Sequence, residues 1–271
     1  MAELAGPGPL TEGTADVWWA RRQDASDRHA GLLDETEQQR WAAYRRDEDR
    51  ERFLAGCALA KTVLAGYTGQ SPADVRFDRT CGQCGKPHGK PVLAHGKPVL
   101  AYGERVLAHG KRGAGGDLEH SVAHSGDLVV VAVARAPVGV DIEQLDGRAH
   151  PLGRDGDPRG LARLVLADAE RSALAAVHLS GRARQFLVAW TRKEAVTKAT
   201  GDGLRASFSD VVVAADAGPP RLVSWPYPQA AESVSLHDLE VHTGYVAALA
   251  VIGRCEVVRV RDGSALLAAQ A

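Results

Sequence analysis

The chain has 271 residues, with 33 Lys and Arg set against 34 Asp and Glu. That balance offers no overall field to nucleic acid or an anionic membrane, and the length allows one large or two modest domains. No apolar run approaches the roughly 20 residues of a membrane span. The N-terminus lacks the regions of a secretory signal, and four cysteines are too few for a disulfide scaffold, so a soluble cytoplasmic protein is expected.

Residues 1–15 read as a tail, and Val17–Trp19 as a short buried strand. Asp34 followed by Glu37 has capping-box spacing and predicts a helix to about Arg46. A second helix is predicted from Asp47 to Ala65, ended by Gly66, with Leu54, Ala58, Leu59 and Val63 as its buried stripe. Arg45, Arg46, Arg50 and Arg52 fall on the exposed part, where charges ordinarily do no more than solvate a helix.

Between Arg79 and Arg112 stand seven basic residues and one acid, Glu104, with His88, His95 and His109. Gly-rich, Lys-bearing loops can wrap phosphates, because backbone N–H groups approach closely and ammonium groups add charge. GxxxxGK[ST] is absent, so this is no Walker A loop. Cys81 and Cys84 with His88 and His95 carry only part of a zinc pattern, with no second CxxC or HxxxH pair. HGKPVLA occurs in tandem at 88–94 and 95–101 and decays through 102–115. Gly and Pro in each clear copy exclude a coiled coil, and a duplicated, lengthened surface loop is expected. From Glu119 the chain runs through His124 and Gly126 into LVVVAVAR, a largely buried strand.

In VGVDIEQL, Val138–Leu145, the aliphatics Val140 and Ile142 alternate with Asp141 and Glu143. A strand sends alternate side chains to opposite faces, so the two carboxylates project together. Such a pair needs a cation, or one member must stay protonated. Alone, it fits equally an edge strand with a solvated acidic end. Residues 145–160 read as a loop, followed by a helix from about Leu161 that restarts at Asp168 ahead of Glu170. Phe186 to Leu204 then reads as a helix closed by Gly201 and Gly203, with Trp190, Glu194 and Lys198 on one face and Lys193 flanking them. Alone, this is an ordinary i,i+4 pair. Strands are expected at Asp210–Ala215, Arg221–Trp225, Val234–Glu240, Tyr245–Ile252 and Glu256–Val260. HTGYVAALAVIG at 242–253 echoes HSGDLVVVAVAR at 124–135, which points to an internal duplication with a boundary near Pro137. Asp141, Glu143 and Glu194 together would make an all-oxygen set suited to Mg²⁺.

GVDIE followed by WTRKEAVTK and GDGL resembles the signature of the Sfp-type 4′-phosphopantetheinyl transferases, and the roughly 50-residue separation of the blocks suits that family. The resemblance implies an α+β pseudodimer of two similar subdomains, each with helices on a small, mainly antiparallel sheet, here 1–137 and 138–271. It implies transfer of the 4′-phosphopantetheine arm of coenzyme A to a serine of an acyl or peptidyl carrier protein, releasing 3′,5′-ADP. Asp141, Glu143 and Glu194 would hold Mg²⁺, Lys198 and Lys193 would stabilise diphosphate charge, and Glu170 would act as base. Arg52 and, after it, Arg50, with Lys90 or its repeat Lys97, and His124 would grip the nucleotide end, with Lys193 and Lys198 also meeting coenzyme A. Ala123 stands where the family usually has Ser, and the Asn before it is missing. The two-half length resembles monomeric members that serve polyketide and nonribosomal peptide synthetases, without excluding fatty-acid carriers. The alternative is a catalytically degenerate pseudodimer that only binds coenzyme A or a carrier.

Overall fold

Strand β1 (Thr14–Arg21) begins the first of the two larger sheets. Helices α1 (Glu35–Ala43) and α2 (Asp47–Thr68) follow, then the short pair β2 (Phe77–Asp78) and β3 (Val92–Leu93), and the hairpin β4 (Glu119–Ser125) and β5 (Leu128–Ala134). The second half repeats that order with one additional helix. It has β6 (Val138–Gln144), α3 (Arg159–Val165), α4 (Asp168–Ala176) and α5 (Leu179–Thr200), the short pair β7 (Val212–Val213) and β8 (Leu222–Ser224), and the hairpin β9 (Val234–Leu239) and β10 (Tyr245–Ile252). Strand β11 (Val257–Asp262) and the short α6 (Ser264–Ala268) end the chain. This computed structural model describes residues 7–80, 85–86, 89–94, 118–145, 159–202, 207–216 and 218–270. Cys81, Cys84, His88, Lys97, Gly203 and the HGKPVLA copies after residue 94 lie outside them.

The sheets have the orders β11-β1-β5-β4 and β6-β10-β9, antiparallel except for β1 with β11. In each half the first strand therefore sits beside the second strand of the hairpin, as the duplication predicts. The inner faces pack together through Val17, Val130 and Ala132 on one side and Val138, Val140, Ile142 and Leu249 on the other. Outside them, α2 covers Val129, Val131 and Val133, and α5 covers Ala248 and Ala250. Strand β5 is thus buried on both faces, which accounts for its unbroken apolar run. Position 137 separates the two sheets, but β11 and α6 cross back: β11 pairs with β1, and His29 Nε2 bonds to Leu267 O at 3.0 Å.

Helix α1 starts at the expected capping box, with Glu37 N–H donating to Asp34 Oδ1 at 2.9 Å and Asp34 N–H to Glu37 Oε2 at 3.0 Å. It stops at Ala43, short of Arg46, because Tyr44 is extended and the acidic turn Asp47–Asp49 begins a new helix end. Helix α2 runs past the expected stop at Gly66. Gly66 sits within it because a Cβ there would meet Pro7 at 2.7 Å, and the left-handed terminator is Gly69 (φ 71°). Helix α5 starts seven residues before Phe186 and ends, as expected, at Gly201 (φ 87°).

The contact that sets the site is between β6 and α5. A Cβ on Gly139 would lie 2.0 Å from Ala195 O and 2.5 Å from Ala199 N, so the helix rests directly on the strand backbone. Gly139→Ala is expected to destabilise the fold by at least about 1–3 kcal/mol, the usual cost of overpacking. Urea unfolding checks this, and wild-type stability in the variant would contradict the packing.

Candidate active site

Gly139, Asp141 and Glu143 share the face of β6 turned to α5, while Val140 and Ile142 enter the inter-sheet core. Because α5 lies so close, Glu194 and Lys198 come down beside the strand acids. Lys198 Nζ donates to Asp141 Oδ1 at 2.6 Å and to Val140 O at 3.3 Å. Asp141 is 6% exposed and its Oδ2 has no hydrogen-bond partner. Ser125 Oγ donates to Glu143 Oε2 at 2.8 Å and accepts from Gln144 N–H at 3.1 Å.

The electrostatics follow from burial. Desolvation raises the Asp141 carboxyl, with Lys198 pulling against it. Desolvation and then the Asp141 charge push Glu143 up to about 7. Glu194 is raised by desolvation first and by Asp141 after it. Burial works against the Lys198 ammonium, but Asp141, Glu194 and Glu143 outweigh it and hold the lysine above its ordinary value. Three acids therefore crowd one cation, and more positive charge is favoured there. Among the described residues no three or more His, Cys, Asp or Glu side chains already enclose an ion position. The Lys198 ammonium occupies Asp141 Oδ1 in their midst.

Lys198 also lines a cleft of about 630 Å³ between the halves, a volume typical of small-molecule sites. Arg40, Arg52, Arg79, Lys90 and His124 line it too, so its walls favour a polyanion. Arg52 Nη1 donates to Gly126 O at 2.8 Å, and its other nitrogen pairs with Asp49. Arg50 instead lies over the Trp41 ring at 5.3 Å. Lys90 Nζ, 3.6 Å from Glu119, donates to Val138 O at 3.0 Å, which pins the Gly-rich segment to β6. Desolvation lowers the His124 pKa, and the Arg52 and Lys198 charges add to it. Ala123 packs between the sheets at 5% exposure and is not part of the cleft lining.

The 4′-phosphopantetheinyl transferase superfamily model matches residues 137–250. A 4′-phosphopantetheinyl transferase of Nostoc sp., HetI, is 30% identical over 207 residues, 76% of this chain and 73% of its own. The chain belongs to the 4′-phosphopantetheinyl transferase superfamily. The Bacillus subtilis 4′-phosphopantetheinyl transferase Sfp is 22% identical over 182 residues, 67% of this chain and 66% of its own. A holo-[acyl-carrier-protein] synthase of Thermotoga maritima overlaps 44% of the chain and 64% of its own at 22% identity, with a TM-score of 0.34, too low to bear on the site.

In this superfamily member Asp141, Glu143, Glu194 and Lys198 come together, and Arg52, Lys90 and His124 line the adjoining cleft. Glu170 and Lys193 do not join them. Both are buried, at 3% and 0% exposure, and neither lines the cleft. Glu170 Oε2 accepts from Ala167 N–H and from Lys193 Nζ at 2.6 Å, and Oε1 accepts from Val213 N–H at 2.8 Å. Both oxygens thus already accept hydrogen bonds inside the fold, away from the cleft. Trp190, on the same helix, stacks on Phe208 with centroids 5.4 Å apart.

Sequence reasoning missed four contributors. Arg40 is not singled out by any pattern, and Arg79 reads only as the first residue of the basic stretch, yet both line the cleft. Ser121, whose Oγ accepts from Val140 N–H at 3.1 Å, ties β4 to β6. His120 is buried against Phe77, with ring centroids 4.8 Å apart. The glycine of GVDIE was the available signal for close packing, since a glycine inside a strand often marks an approaching backbone.

Desolvation drives His120 down to about 3, with the Lys90 charge adding to it. The fold therefore favours the neutral ring, and the unfolded chain takes up a proton first. Stability from this residue is full above about 6.5 and is lost as pH falls toward about 3. Between pH 6.5 and 4, wild-type stability is expected to fall more steeply than that of His120→Gln in denaturant titrations at each pH. Parallel curves would contradict the burial of a neutral ring.

Proposed function

We propose that this chain transfers the 4′-phosphopantetheine arm of coenzyme A to a serine of an apo carrier protein and releases 3′,5′-ADP. The observation that carries this reading is the acid–lysine cluster, Asp141, Glu143, Glu194 and Lys198, beside a cleft with cationic walls. A donor with a diphosphate and a further phosphate matches both parts. Arg52, Lys90, Arg40 and Arg79 supply the positive wall for the nucleotide phosphates, His124 adds a neutral ring that can hydrogen-bond to them, and Lys198 reaches from that wall to the acids.

The acids fit Mg²⁺ on this chain's own evidence: hard oxygen donors, raised carboxyls, and a buried Asp141 Oδ2 without a partner. Asp141, Glu143 and Glu194 would hold it. An ion held there would supply positive charge to the diphosphate oxygens. Lys198 offsets charge on the same diphosphate as the leaving group departs, and Ser125 holds the Glu143 carboxylate in place. The serine oxygen gives up its proton to water as it bonds to the phosphorus bearing the arm, the bond from that phosphorus to the bridging oxygen breaks, and 3′,5′-ADP leaves with that oxygen. In such phosphoryl transfers catalysis is mainly positioning and electrostatics, which is what this arrangement of charges supplies. The two-half length favours carriers of polyketide and nonribosomal peptide synthetases as acceptors.

Incubation with coenzyme A, Mg²⁺ and an apo carrier is expected to add the mass of one phosphopantetheine arm to the carrier, and EDTA is expected to prevent it. Asp141→Asn and Glu194→Gln, which keep shape and remove charge, are expected to lower the rate by about 10²-fold or more without loss of fold. An unmodified carrier with the wild-type protein, alongside tight coenzyme A binding, would instead favour a pure binding module. Full activity in either variant would contradict the site.

A further inference from the structure

Glu170 and Lys193 have counterparts in the half of the molecule that carries no acid cluster. Glu170 is the third residue of the nine-residue α4, and Lys193 is the fifteenth of the 22-residue α5. Glu37 is the third residue of the nine-residue α1, and Lys61 is the fifteenth of the 22-residue α2. Lys193 Nζ is 2.6 Å from Glu170 Oε2, and Lys61 Nζ is 2.8 Å from Glu37 Oε2. Each glutamate is 3% exposed or less, and both lysines are fully buried. Each glutamate also accepts the N–H that precedes its own helix, Ala167 at 2.7 Å and Asp34 at 3.0 Å. Each ammonium donates to a carbonyl in the segment after its long helix, Phe208 O at 2.9 Å and Val75 O at 3.0 Å.

The acid cluster is not repeated. Asp141 and Glu143 pair with Ala248 and Val246 of β10. The residues that echo these in β5, Val130 and Leu128, pair with Trp19 and Arg21 of β1. One and five residues beyond the long-helix lysine, α5 carries Glu194 and Lys198, where α2 carries Thr62 and Gly66. The two halves share the buried pair and differ in every group of the cluster.

We infer that Glu170 and Lys193 are positioning residues for the transfer, not its base and phosphate contact. In both halves the pair locks the rotation of the long helix against the short helix before it and the segment after it. In the second half that rotation also aims Glu194, the next residue, and Lys198 at Asp141. A buried ion pair that loses one partner leaves an uncompensated charge, whereas an apolar pair of similar size replaces it with little loss. That asymmetry separates positioning from proton transfer.

This inference rests on the proposed transfer, and it is tested in the full chain with coenzyme A, Mg²⁺ and an apo carrier. Glu170→Gln and Lys193→Met are each expected to melt earlier and to lower kcat by about tenfold or more, through misplacement of α5. KM for coenzyme A should stay within about twofold, since the cleft cations are untouched. The apolar double variant Glu170→Leu with Lys193→Met is expected to regain the wild-type melting temperature and kcat within about threefold. A well-folded double variant as inactive as Glu170→Gln would overturn the inference. Should the double variant fail to fold, the residual activity of Glu170→Gln decides: an unchanged pH–rate profile supports positioning, and a missing acidic limb overturns it. A wild-type protein that transfers nothing would sink the proposed function instead. The melting temperatures would then still show whether the second-half pair behaves like Glu37 and Lys61, through the matching variants Glu37→Gln and Lys61→Met.

Discussion

The seating of α5 on β6 across Gly139 is the constraint on which the site depends. With no side chain at that position, Ala195 O and Ala199 N approach the strand closely enough for the next turn of the helix to reach Asp141. Lys198 then binds Asp141 directly, and Glu194 enters the same field. A wider spacing would leave the strand acids facing an apolar helix or solvent. At the spacing observed, burial lifts all three carboxyls and the lysine answers only part of the charge.

The cleft exists because the two halves meet at β4 and β6. Hydroxyls of Ser121 and Ser125 bond to the β6 backbone, and Lys90 reaches Val138 O from the Gly-rich segment. The first half thus contributes most of the cationic wall and the second half the acids. The repeated topology accounts for the arrangement: two similar units, each with a buried Glu–Lys pair, place two different surfaces against each other.

Much of this was legible in the chain. The alternation in VGVDIEQL placed Asp141 and Glu143 on one face, and four-residue spacing joined Glu194 to Lys198, because both periods are local properties of strand and helix. The HSG and HTG echo revealed the duplicated halves. Other features depend on contacts between distant segments. Gly66 looked like a helix terminator, but it is the place where Pro7 packs on α2, and Gly69 ends the helix. The return of β11 to β1 pairs residues more than 240 positions apart, which no local pattern announces. Glu170 stood at the right distance along the chain for a base, and three donors from two other elements and its own helix end already bond to its oxygens. A sequence shows that a residue is acidic, but not which donors its oxygens already serve.

The central claim is that one strand and one helix jointly form a divalent-cation site at the edge of the nucleotide cleft. Crystals grown with coenzyme A and Mn²⁺, measured at the manganese absorption edge, address it most directly. The account predicts an anomalous peak within coordination distance of oxygens from Asp141 and Glu194, beside the diphosphate. A well-occupied peak elsewhere, with Lys198 still closing Asp141 and the diphosphate bound away from both, would contradict it.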